Sequence, residues 1–425
     1  MKLAVVVQRY GADINGGAEL HARYIAERMS RHADVEVLTT CARDYVTWAN
    51  ELPAGADTVN GIRVQRFPVS RPREPRDFGR RSAFVFERPH SLADELKWLD
   101  SEGPRSEALV RHIAASAQAF DFFVFFSYRY YHAFHGARLV ANRAVLVPTA
   151  ERDAAIGLAM FQPLFRGVRA LMYNSFEERA MIQHVSGREG PSVVVGVGSE
   201  IPEHPQPWRF KKTFHVRRPF ALYIGRIDEN KGCQELFSHF ERYAVMYPHG
   251  LDLLLIGSNV IPVPSHPRIR HLGFLPDDDK FDALAAADLL IMPSQFESLS
   301  MVALEAWAMG KPVLANGRCD VLRGQVIRSN GGLYYETFEE FAEAMYLLEG
   351  TGPLGSLLGR HGREYFRRHY TWPVIERKYL DMFARLTREP APVMDALPGW
   401  FTRRRRTERP GHDVLADIPS GPVLS

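Results

Sequence analysis

Residues Pro293 to Val313, with the sequence PSQFESLSMVALEAWAMGKPV, mark a turn from a buried strand into a helix. The preceding run AADLLIM is short, apolar and ended by a proline, as expected of a buried parallel strand, whereas Leu299 to Met309 has apolar residues at helical spacing. The turn carries two carboxylates, Glu297 and Glu305, eight residues apart. A chain that contains such turns is expected to fold into a sheet covered by helices.

The same turn suits an anionic ligand. Ligands of open α/β sheets bind at the carboxyl ends of strands, and the first amides of a helix favour an anion. The amides of Ser298, Leu299 and Ser300 therefore predict a cradle for a diphosphate. At roughly 100° per residue, Glu297 and Glu305 lie about 80° apart in projection, close enough to address one ligand. For an arbitrary pair at this spacing, two solvated helix carboxylates are the simpler interpretation.

Strand and helix patterns alternate from the start of the chain, which predicts a doubly wound α/β architecture. A chain of 425 residues suits two domains of about 200 residues each. Residues 44–104, rich in Pro and Arg, are predicted to be irregular and to form binding loops. In the first domain, residues 1–200, we predict a helix at 17–31 and strands at 3–8, 35–40, 122–126, 144–148 and 169–173.

The second half repeats the theme. Residues 201–219 hold four prolines among charged residues without periodicity, which predicts an interdomain linker. Residues 391–425 have no apolar period, which predicts a basic, flexible tail. For the second domain, residues 220–371, we predict strands at 220–225, 251–257, 269–272, 289–292 and 312–315 and helices at 336–348 and 354–368.

Composition excludes several classes of protein. With 46% hydrophobic and 24% charged residues, the chain is an ordinary globular protein. Its three cysteines are far apart and form no C-x-x-C pair, so we expect neither a disulfide framework nor a zinc site, and a reduced, cytoplasmic setting. The opening MKLAVVVQRY has only five consecutive apolar residues and predicts a strand rather than a signal peptide. No apolar run approaches the length of a transmembrane helix.

The net charge of +3 is too small to indicate a nucleic-acid partner. Two basic clusters with aromatic residues stand out, one at residues 71–88 and one in which Arg403 to Arg406 follow Trp400 and Phe401. Such clusters can dock on an anionic bilayer, which would place the protein at the inner face of the membrane. A solvated loop and a disordered tail are the alternative interpretations.

Two cations follow another predicted strand. Tyr223 to Gly232 reads YIGRIDENKG, so Arg226 and Lys231 come after an apolar strand and beside Gly225 and Gly232. Glycine lets a backbone approach a ligand closely. Fixed cations stabilise the charge that develops on departing phosphates. A pair of exposed loop cations is the alternative.

With a Gly-Gly turn at Asn15-Gly16-Gly17-Ala18-Glu19, these motifs resemble the signature of the retaining glycosyltransferases of family 4, whose two glutamates form an E-x7-E motif. The order and separation of the motifs fit, and the resemblance covers about residues 1–390. It implies the B-type glycosyltransferase fold, with two facing Rossmann-like domains. It also implies that a helix at residues 372–390 crosses back to the first domain.

The resemblance assigns the donor, a nucleoside-diphosphate sugar, mainly to the second domain. Arg226 and Lys231 would hold the diphosphate, and Glu305 would hold the ribose. Glu297 would be a catalytic residue that contacts hydroxyls of the sugar or the region of its anomeric carbon. The amides of residues 298–300 would complete the phosphate pocket.

Further donor contacts follow from the same resemblance. Gly16 and Gly17 would approach the phosphates, with a plain tight turn as the alternative. The base would contact backbone and apolar groups at Gly273, Phe274 and Leu275. No metal or other cofactor is required if two cations and a helix N-terminus neutralise the phosphates. The D-x-D match at residues 277–279 is interpreted as a helix cap.

One stretch departs from the family. AVLVPTAERDAAI, Ala144 to Ile156, resembles a strand end where many members carry P-T-A-H-D-E, and Glu151 stands at the position of the usual histidine. Glu151 and Asp153 are therefore the candidates for the catalytic role on the acceptor side. His132 and His135 belong to another element. His21 is expected to be a partly exposed helix residue.

These observations predict a retaining glycosyltransferase that moves a sugar to a hydroxyl of a glycan or a lipid-linked acceptor. The missing histidine leaves open a second function, a catalytically weak or inactive sugar-nucleotide-binding partner of another transferase. An epimerase or phosphorylase of the same fold is disfavoured because Arg226, Lys231, Glu297 and Glu305 together match the transferase pattern. The donor sugar, the base, the acceptor and the oligomeric state are not specified by the sequence.

Overall fold

The computed structural model describes residues 1–14, 16–187, 190–350, 352–391 and 407–424. The chain divides into two compact units. The first comprises Met1–Gly196 and Glu376–Pro419, and the second comprises Val197–Ile375 and the residues from Ser420 onward.

Up to residue 196, strands and helices alternate in the following order: β1 (Lys2–Val6), α1 (Gly17–Met29), β2 (Asp34–Thr40), β3 (Gly55–Val59), β4 (Ile62–Phe67), α2 (Pro75–Glu87), β5 (His90–Ser91), α3 (Leu92–Glu102), α4 (Glu107–Ala115), β6 (Phe122–Phe126), α5 (Tyr131–Leu139), β7 (Ala144–Val147), a short 3₁₀ helix (Ala154–Gly157), α6 (Phe161–Gly167), β8 (Ala170–Tyr173), α7 (Phe176–Ser186) and β9 (Ser192–Val194).

From residue 197 the elements are α8 (Pro207–Thr213), β10 (Phe220–Ile224), α9 (Cys233–Met246), β11 (Asp252–Ile256), β12 (Ile269–His271), α10 (Asp277–Ala286), β13 (Leu289–Met292), α11 (Met301–Ala308), β14 (Val313–Asn316), α12 (Asp320–Ser329), β15 (Gly332–Tyr335), α13 (Phe338–Leu347), α14 (Pro353–His369), α15 (Trp372–Arg388), β16 (Thr407–Glu408) and α16 (Gly411–Asp417).

The sheet of the first unit has the strand order β3-β4-β2-β1-β6-β7-β8-β9. All its neighbours are parallel except β3, which is antiparallel to β4. The direction in which strands are added reverses between β1 and β6. At such a switch point the helices on either side diverge, which opens a crevice at the carboxyl ends of the strands.

The sheet of the second unit has the order β12-β11-β10-β13-β14-β15 and is entirely parallel. This is the dinucleotide-binding order of a doubly wound sheet, and its switch point lies between β10 and β13. Both fold predictions, the α/β class and the alternation of strands and helices, are confirmed.

Each sheet is buried because its strands are apolar on both faces. Every residue of β6 (FFVFF) and of β13 (LLIM) is buried. Strands covered by helices on both sides read as continuous apolar runs rather than alternating ones. That is why most of the central strands were predicted to within two residues.

The prediction of an irregular segment at residues 44–104 is wrong. It contains β3, β4, α2, β5 and α3. Arg73 is buried in an ion pair with Glu102 at 2.7 Å, with its guanidinium over the rings of Trp48 and Phe78. Part of the basic, aromatic cluster at residues 71–88 therefore stabilises the fold from inside, because paired and stacked arginines can be buried.

The predicted linker, residues 201–219, contains helix α8. Phe210 is buried on its inner face. The backbone N–H of Gln206 donates to Asp282 of α10, and Arg209 forms an ion pair with the same carboxylate at 2.6 Å. This stretch is thus a packed part of the second unit rather than an extended connection.

The prediction of a flexible tail at residues 391–425 is also wrong for the part that the structure describes. β16 pairs with β5, and α16 packs against α2 and the 3₁₀ helix. Ile418 is 2% exposed within the core of the first unit. Trp400, Phe401 and Arg403 to Arg406 lie outside the described residues.

Helix α15 begins in the second unit and ends in the first. Trp372, at its start, packs against Gly198, and Phe383, near its end, stacks on Phe122 of β6 with ring centroids 5.2 Å apart.

Within the described ranges, no helix is long and apolar enough to cross a membrane.

Candidate functional site

The switch point of the second sheet brings two loops together. One follows β10 and contains Arg226 and Lys231, and the other follows β13 and contains Glu297. Because β10 and β13 are neighbouring parallel strands, both loops leave the same edge of the sheet. Three of the predicted donor-site residues therefore lie at the position where doubly wound sheets bind ligands.

Asp228 organises the loop after β10. Its side chain is mostly buried, and Oδ1 accepts a 2.8 Å hydrogen bond from the backbone N–H of Lys231. The other oxygen accepts from the guanidinium of Arg226. One buried carboxylate thus orients both cationic residues. The sequence analysis did not predict this role for Asp228. A carboxylate between two cations within six residues is a pattern that could have indicated it.

Lys231 and Glu297 form an ion pair across the two loops, with Nζ 2.8 Å from Oε1. The lysine side chain is 32% exposed and the glutamate 12% exposed. A charge-assisted contact of this kind fixes both groups while leaving them accessible. The pair joins the two motifs that the sequence had suggested separately.

Gly232 allows the two loops to approach each other. It adopts φ +72°, and an added Cβ would lie 2.1 Å from the carbonyl oxygen of Pro293. Glycine is the residue that tolerates both constraints. The close neighbour of this glycine is the backbone at the end of β13, and its contact with a ligand stays a prediction.

The loop after β13 continues into the N-terminus of α11. Ser300 caps this helix, since its Oγ accepts a hydrogen bond of 3.2 Å from the backbone N–H of Ala303. Within the part of the chain that the structure describes, the backbone amides of Leu299 and Ser300 donate no hydrogen bond. Ser298 precedes them. The amides predicted to cradle a phosphate thus lie beside the Lys231–Glu297 pair, at a helix end that favours an anion.

Glu305, one turn into α11, is 4% exposed. Its Oε1 accepts hydrogen bonds from the hydroxyl of Ser199 at 2.6 Å and from the ammonium of Lys280 at 3.2 Å. Lys280 also pairs with Asp277 at 3.0 Å. Burial of the carboxylate is therefore compensated by a cation and a hydroxyl.

The segment predicted to contact the base follows β12. Gly273 adopts φ +75°, and its carbonyl accepts a hydrogen bond from Gly257, which follows β11. Phe274 is 73% exposed and Leu275 is half-buried. An exposed aromatic ring at this edge of the sheet is available for stacking.

In the first unit, Gly16 and Gly17 begin helix α1. An added Cβ at Gly16 would lie within 2.2 Å of Glu19, whose carboxylate pairs with Arg9 at 2.6 Å. At Gly17 an added Cβ meets no atom within 4 Å. The first glycine thus makes room for an ion pair of the protein itself, while the contact of either with a diphosphate stays a prediction.

Two strained residues lie at neighbouring strand ends of the first sheet. Ser127, after β6, has φ +64°, and Thr149, after β7, has φ +50°. Their hydroxyl groups are hydrogen-bonded at 2.8 Å. A positive φ is unusual for a β-branched residue and often marks a functional site. No sequence pattern indicated this pair.

Glu151 lies between residues that are held by other elements. The backbone N–H of Ala150 donates to the buried carboxylate of Glu178. Arg152 donates to the carbonyl of Leu415 in α16 and to those of Ile418 and Pro419 after it. Burial raises the pKa of Glu178 to about 8, although backbone hydrogen bonds oppose the shift.

Asp153 has a structural role in this loop. Its carboxylate caps the 3₁₀ helix by accepting from the N–H of Ala155 and pairs with Arg129 at 2.6 Å. Arg129 also pairs with the buried Glu102 at 2.8 Å. The carboxylate of Asp153 is therefore bound by a helix end and a guanidinium.

The histidines lie elsewhere. His21 is buried on α1 against the ring of Phe126, so the expectation of partial exposure is wrong. His132, on α5, is also buried. Burial lowers the pKa of His21 to about 3 and that of His132 to about 4, which keeps both rings neutral.

The three aspartates at residues 277–279 lie in the first turn of α10, as expected, but the N-cap residue is Pro276. They favour the helix through its dipole rather than through a side-chain cap. Among the described residues, no group of three His, Cys, Asp or Glu side chains is arranged to hold a metal ion.

Residues 218–349, which include the loops after β10 and β13, match the family model described as Glycosyl transferases group 1. The chain is 23% identical over 423 residues to D-inositol 3-phosphate glycosyltransferase of Corynebacterium urealyticum, covering 90% of this chain and 94% of that protein. It is 28% identical over 177 residues to the lipopolysaccharide core biosynthesis glycosyltransferase LpsE of Rhizobium meliloti, covering 39% and 50%.

Solved structures share the fold. Sucrose-phosphate synthase of Thermosynechococcus elongatus matches with a TM-score of 0.67 at 16% identity, over 91% of this chain and 99% of that one. HepE of Anabaena in complex with UDP-glucose matches with a TM-score of 0.64 at 16% identity, over 91% and 100%. These likenesses show two Rossmann-like domains of the B-type glycosyltransferase fold. The chain is a glycosyltransferase with this fold.

Proposed function

We propose that the protein is a retaining glycosyltransferase of family 4. It transfers a sugar from a nucleoside-diphosphate donor to a hydroxyl of a glycan or lipid-linked acceptor in bacterial polysaccharide or glycoconjugate synthesis. The observation that carries this proposal is the Lys231–Glu297 ion pair at the switch point, beside Arg226 and the N-terminus of α11. The structure of HepE with UDP-glucose supports the choice of donor class.

The loop chemistry matches the needs of a departing nucleoside diphosphate. Negative charge grows on the phosphates as the glycosidic bond to the donor breaks, and preorganised cations stabilise that charge. Asp228 holds Arg226 and the backbone of Lys231 in place before a ligand arrives. The amides of Leu299 and Ser300 add donors that carry no net charge. These groups neutralise a diphosphate without a metal ion or cofactor in this proposal.

Glu297 is the second element of the donor site. Its ion pair with Lys231 holds the carboxylate next to the position proposed for the phosphates, where the sugar is attached. From there it accepts hydrogen bonds from sugar hydroxyls. Gly16 and Gly17, in the first unit, are proposed to approach the phosphates, and Phe274 to stack on the base.

On the acceptor side we assign the polar role to Glu151. A carboxylate can orient an acceptor hydroxyl and take its proton. Asp153 is the other candidate, and Arg129 and the 3₁₀ helix bind its two oxygens. In a retaining reaction the acceptor hydroxyl attacks on the face that the nucleotide leaves.

A catalytically inactive sugar-nucleotide-binding partner is the second candidate function. It is favoured by one observation: Glu151 stands where the family usually has histidine, and the neighbouring Asp153 has a structural role. Such a protein would bind the donor and release no nucleoside diphosphate.

The test is nucleotide binding followed by turnover. Calorimetry against UDP, GDP and ADP should identify one that binds, and Lys231→Ala should weaken that binding about 10-fold to 150-fold, since a charge-assisted hydrogen bond contributes roughly 1.5 to 3 kcal/mol. Lys212→Ala, which removes an exposed lysine of α8, is the matched control. Binding that Lys231→Ala leaves unchanged would overturn the assigned site.

Turnover then separates the two functions. Wild-type protein incubated with the sugar nucleotide and an extract of bacterial glycolipids and glycans should release nucleoside diphosphate. Binding of the donor without any release would favour the inactive partner. Sedimentation with vesicles that contain anionic lipid tests the proposed peripheral location at the inner face of the membrane.

A further inference from the structure

Glu305 is held by two residues that no motif of the chain had singled out. Ser199, six per cent exposed, and Lys280, on α10, both donate to the same oxygen, Oε1. Within the described residues, Oε2 of Glu305 accepts no hydrogen bond. The protein therefore occupies one oxygen of this buried carboxylate and leaves the other as an acceptor for a ligand.

Ser199 is fixed by the packing of its own segment. An added Cβ on the neighbouring Gly198 would lie 2.7 Å from the ring of Trp372, so the backbone passes directly under that side chain. Since a buried segment of this kind has little freedom, the hydroxyl of Ser199 is positioned before any ligand binds.

Lys280 is fixed through its helix. Asp282, on the same helix, accepts hydrogen bonds from the N–H of Gln206 and from the guanidinium of Arg209, which ties α10 to α8. Asp277 adds a second ion pair to the ammonium. Burial alone would lower the pKa of Lys280, but the nearby carboxylates of Glu305 and Asp277 raise it, so the residue stays charged.

We infer that Ser199 and Lys280 are positioning residues for recognition of the donor ribose: they fix Glu305 through Oε1 so that Oε2 accepts hydrogen bonds from the ribose hydroxyls. This inference rests on the proposed function, in which Glu305 binds the ribose. A carboxylate held by a hydroxyl and an ammonium is preorganised, which reduces the entropy lost on binding. A hydrogen bond that a cation or carboxylate strengthens is also the stronger kind.

The experiment compares a nucleoside diphosphate with its 2′,3′-dideoxy form, which lacks both ribose hydroxyls. The nucleoside diphosphate that the wild type binds is chosen for calorimetry. Its dideoxy form should bind the wild type with an affinity about 10-fold lower or more. Ser199→Ala and Lys280→Met should each weaken binding of the ribose form about 3-fold to 10-fold and leave the dideoxy form unchanged. A purely structural role would weaken both ligands equally.

Two variants complete the design. Asp277→Asn keeps the contact between Lys280 and Glu305 and removes only an exposed ion pair, so it should change both affinities less than Lys280→Met does. Lys280→Arg retains the positive charge. It should therefore keep more of the preference for the ribose form over the dideoxy form than Lys280→Met does. Circular dichroism on each variant identifies any loss of fold, and Ser199→Ala then carries the test because it removes a single hydroxyl.

The outcomes are distinct. Discrimination that persists in Ser199→Ala and Lys280→Met but disappears in Glu305→Gln overturns this inference alone and leaves the donor site intact. A wild type that binds no nucleoside diphosphate overturns the proposed function, and the inference with it. Discrimination that falls in all three variants supports both.

Discussion

The loop after β10 and the loop after β7 follow strands of equivalent type, yet they are stabilised differently. In the first, Asp228, Arg226 and Lys231 contact one another or the adjacent loop, and Arg226 remains 53% exposed. In the second, Arg152 and Asp153 contact distant parts of the chain. The loop after β10 is organised mainly by charges within the two loops of the site, whereas the loop after β7 is held by hydrogen bonds and an ion pair to other elements.

The difference matters for function. A site for a phosphate needs charges that remain accessible, and the two cations of the loop after β10 are paired with the carboxylates of Asp228 and Glu297. A site that positions a hydroxyl needs a fixed backbone more than charge. We therefore expect substitutions in the loop after β10 to change ligand affinity, and substitutions around the loop after β7 to change stability or transfer.

Removal of residues 407–425 should give the largest effect. It deletes β16, α16 and Ile418, which is buried in the core of the first unit. It also removes the three carbonyl groups that accept hydrogen bonds from Arg152. Loss of one buried isoleucine and these hydrogen bonds should lower the stability of the first unit by at least about 3 kcal/mol. Hydrogen exchange of residues 149–157 measures the change.

Removal of residues 420–425 alone is the matched control, because it keeps α16 and Ile418. Unchanged protection of residues 149–157 after the longer deletion would show that the C-terminal segment does not hold this loop. The loop after β7 would then depend on its other two contacts, Ala150 with Glu178 and Asp153 with Arg129.

Glu151 and Asp153 should separate the two properties within one loop. Glu151→Gln should lower transfer about 10²-fold, the usual minimum for a positioned acid or base, with little change in donor affinity. Asp153→Asn weakens the ion pair with Arg129 and should lower stability more than transfer. Steady-state release of nucleoside diphosphate and thermal unfolding measure the two effects.

The opposite pattern would revise the assignment. If Asp153→Asn abolishes transfer in a stable protein and Glu151→Gln does not, the catalytic carboxylate is Asp153. Transfer that survives both substitutions would place the acceptor-side role in other residues while leaving the donor site as proposed.

The fold was predictable because its signal is local. β6 and β13 are apolar on both faces, so their positions follow from the sequence alone. The helices and strands within residues 44–104 were not predictable from local sequence, because prolines and arginines there are typical of loops. Arg73 is instead buried in an ion pair with Glu102, 29 residues away in the chain. The structure of the C-terminal segment was not predicted because β16 and α16 are short. Their burial depends on contacts with β5 and the 3₁₀ helix, which are distant in sequence.

The site residues likewise differ in whether local sequence reveals them. Arg226, Lys231, Glu297 and Glu305 stand in motifs and could be found from spacing. Ser199 is 106 residues from its partner Glu305, and no local pattern reports such a contact. Asp228 lies inside a motif, but the sequence does not show that its carboxylate turns back to contact Arg226 and the N–H of Lys231.

Asp228→Ala tests how far the loop after β10 depends on its own charges. The variant keeps both cations but removes the acceptor for the N–H of Lys231 and the partner of Arg226. Loss of this order should weaken nucleoside diphosphate binding about 3-fold to 10-fold, equivalent to roughly 1 kcal/mol. Asp228→Asn, which retains an acceptor oxygen, should lose less, and equal losses would show that charge rather than position is what Asp228 supplies.

The smallest effect concerns acid sensitivity of the first unit. His21 is buried with a pKa lowered to about 3, and its Nε2 has no hydrogen-bond partner among the described residues. Unfolding lets the ring bind a proton near pH 6.5. Between these values the unfolded state holds more protons than the folded state, so stability falls as the pH falls.

For His21 this linkage amounts to about 0.7 kcal/mol between pH 7 and pH 6. His21→Leu should therefore flatten the pH dependence by that amount in urea unfolding of the first unit, followed by hydrogen exchange of α1. His215→Leu, which replaces an exposed histidine of the second unit, is the control and should leave the slope unchanged. If His21→Leu keeps the full slope, other groups cause the acid sensitivity, and the buried ring of His21 takes up its proton without unfolding.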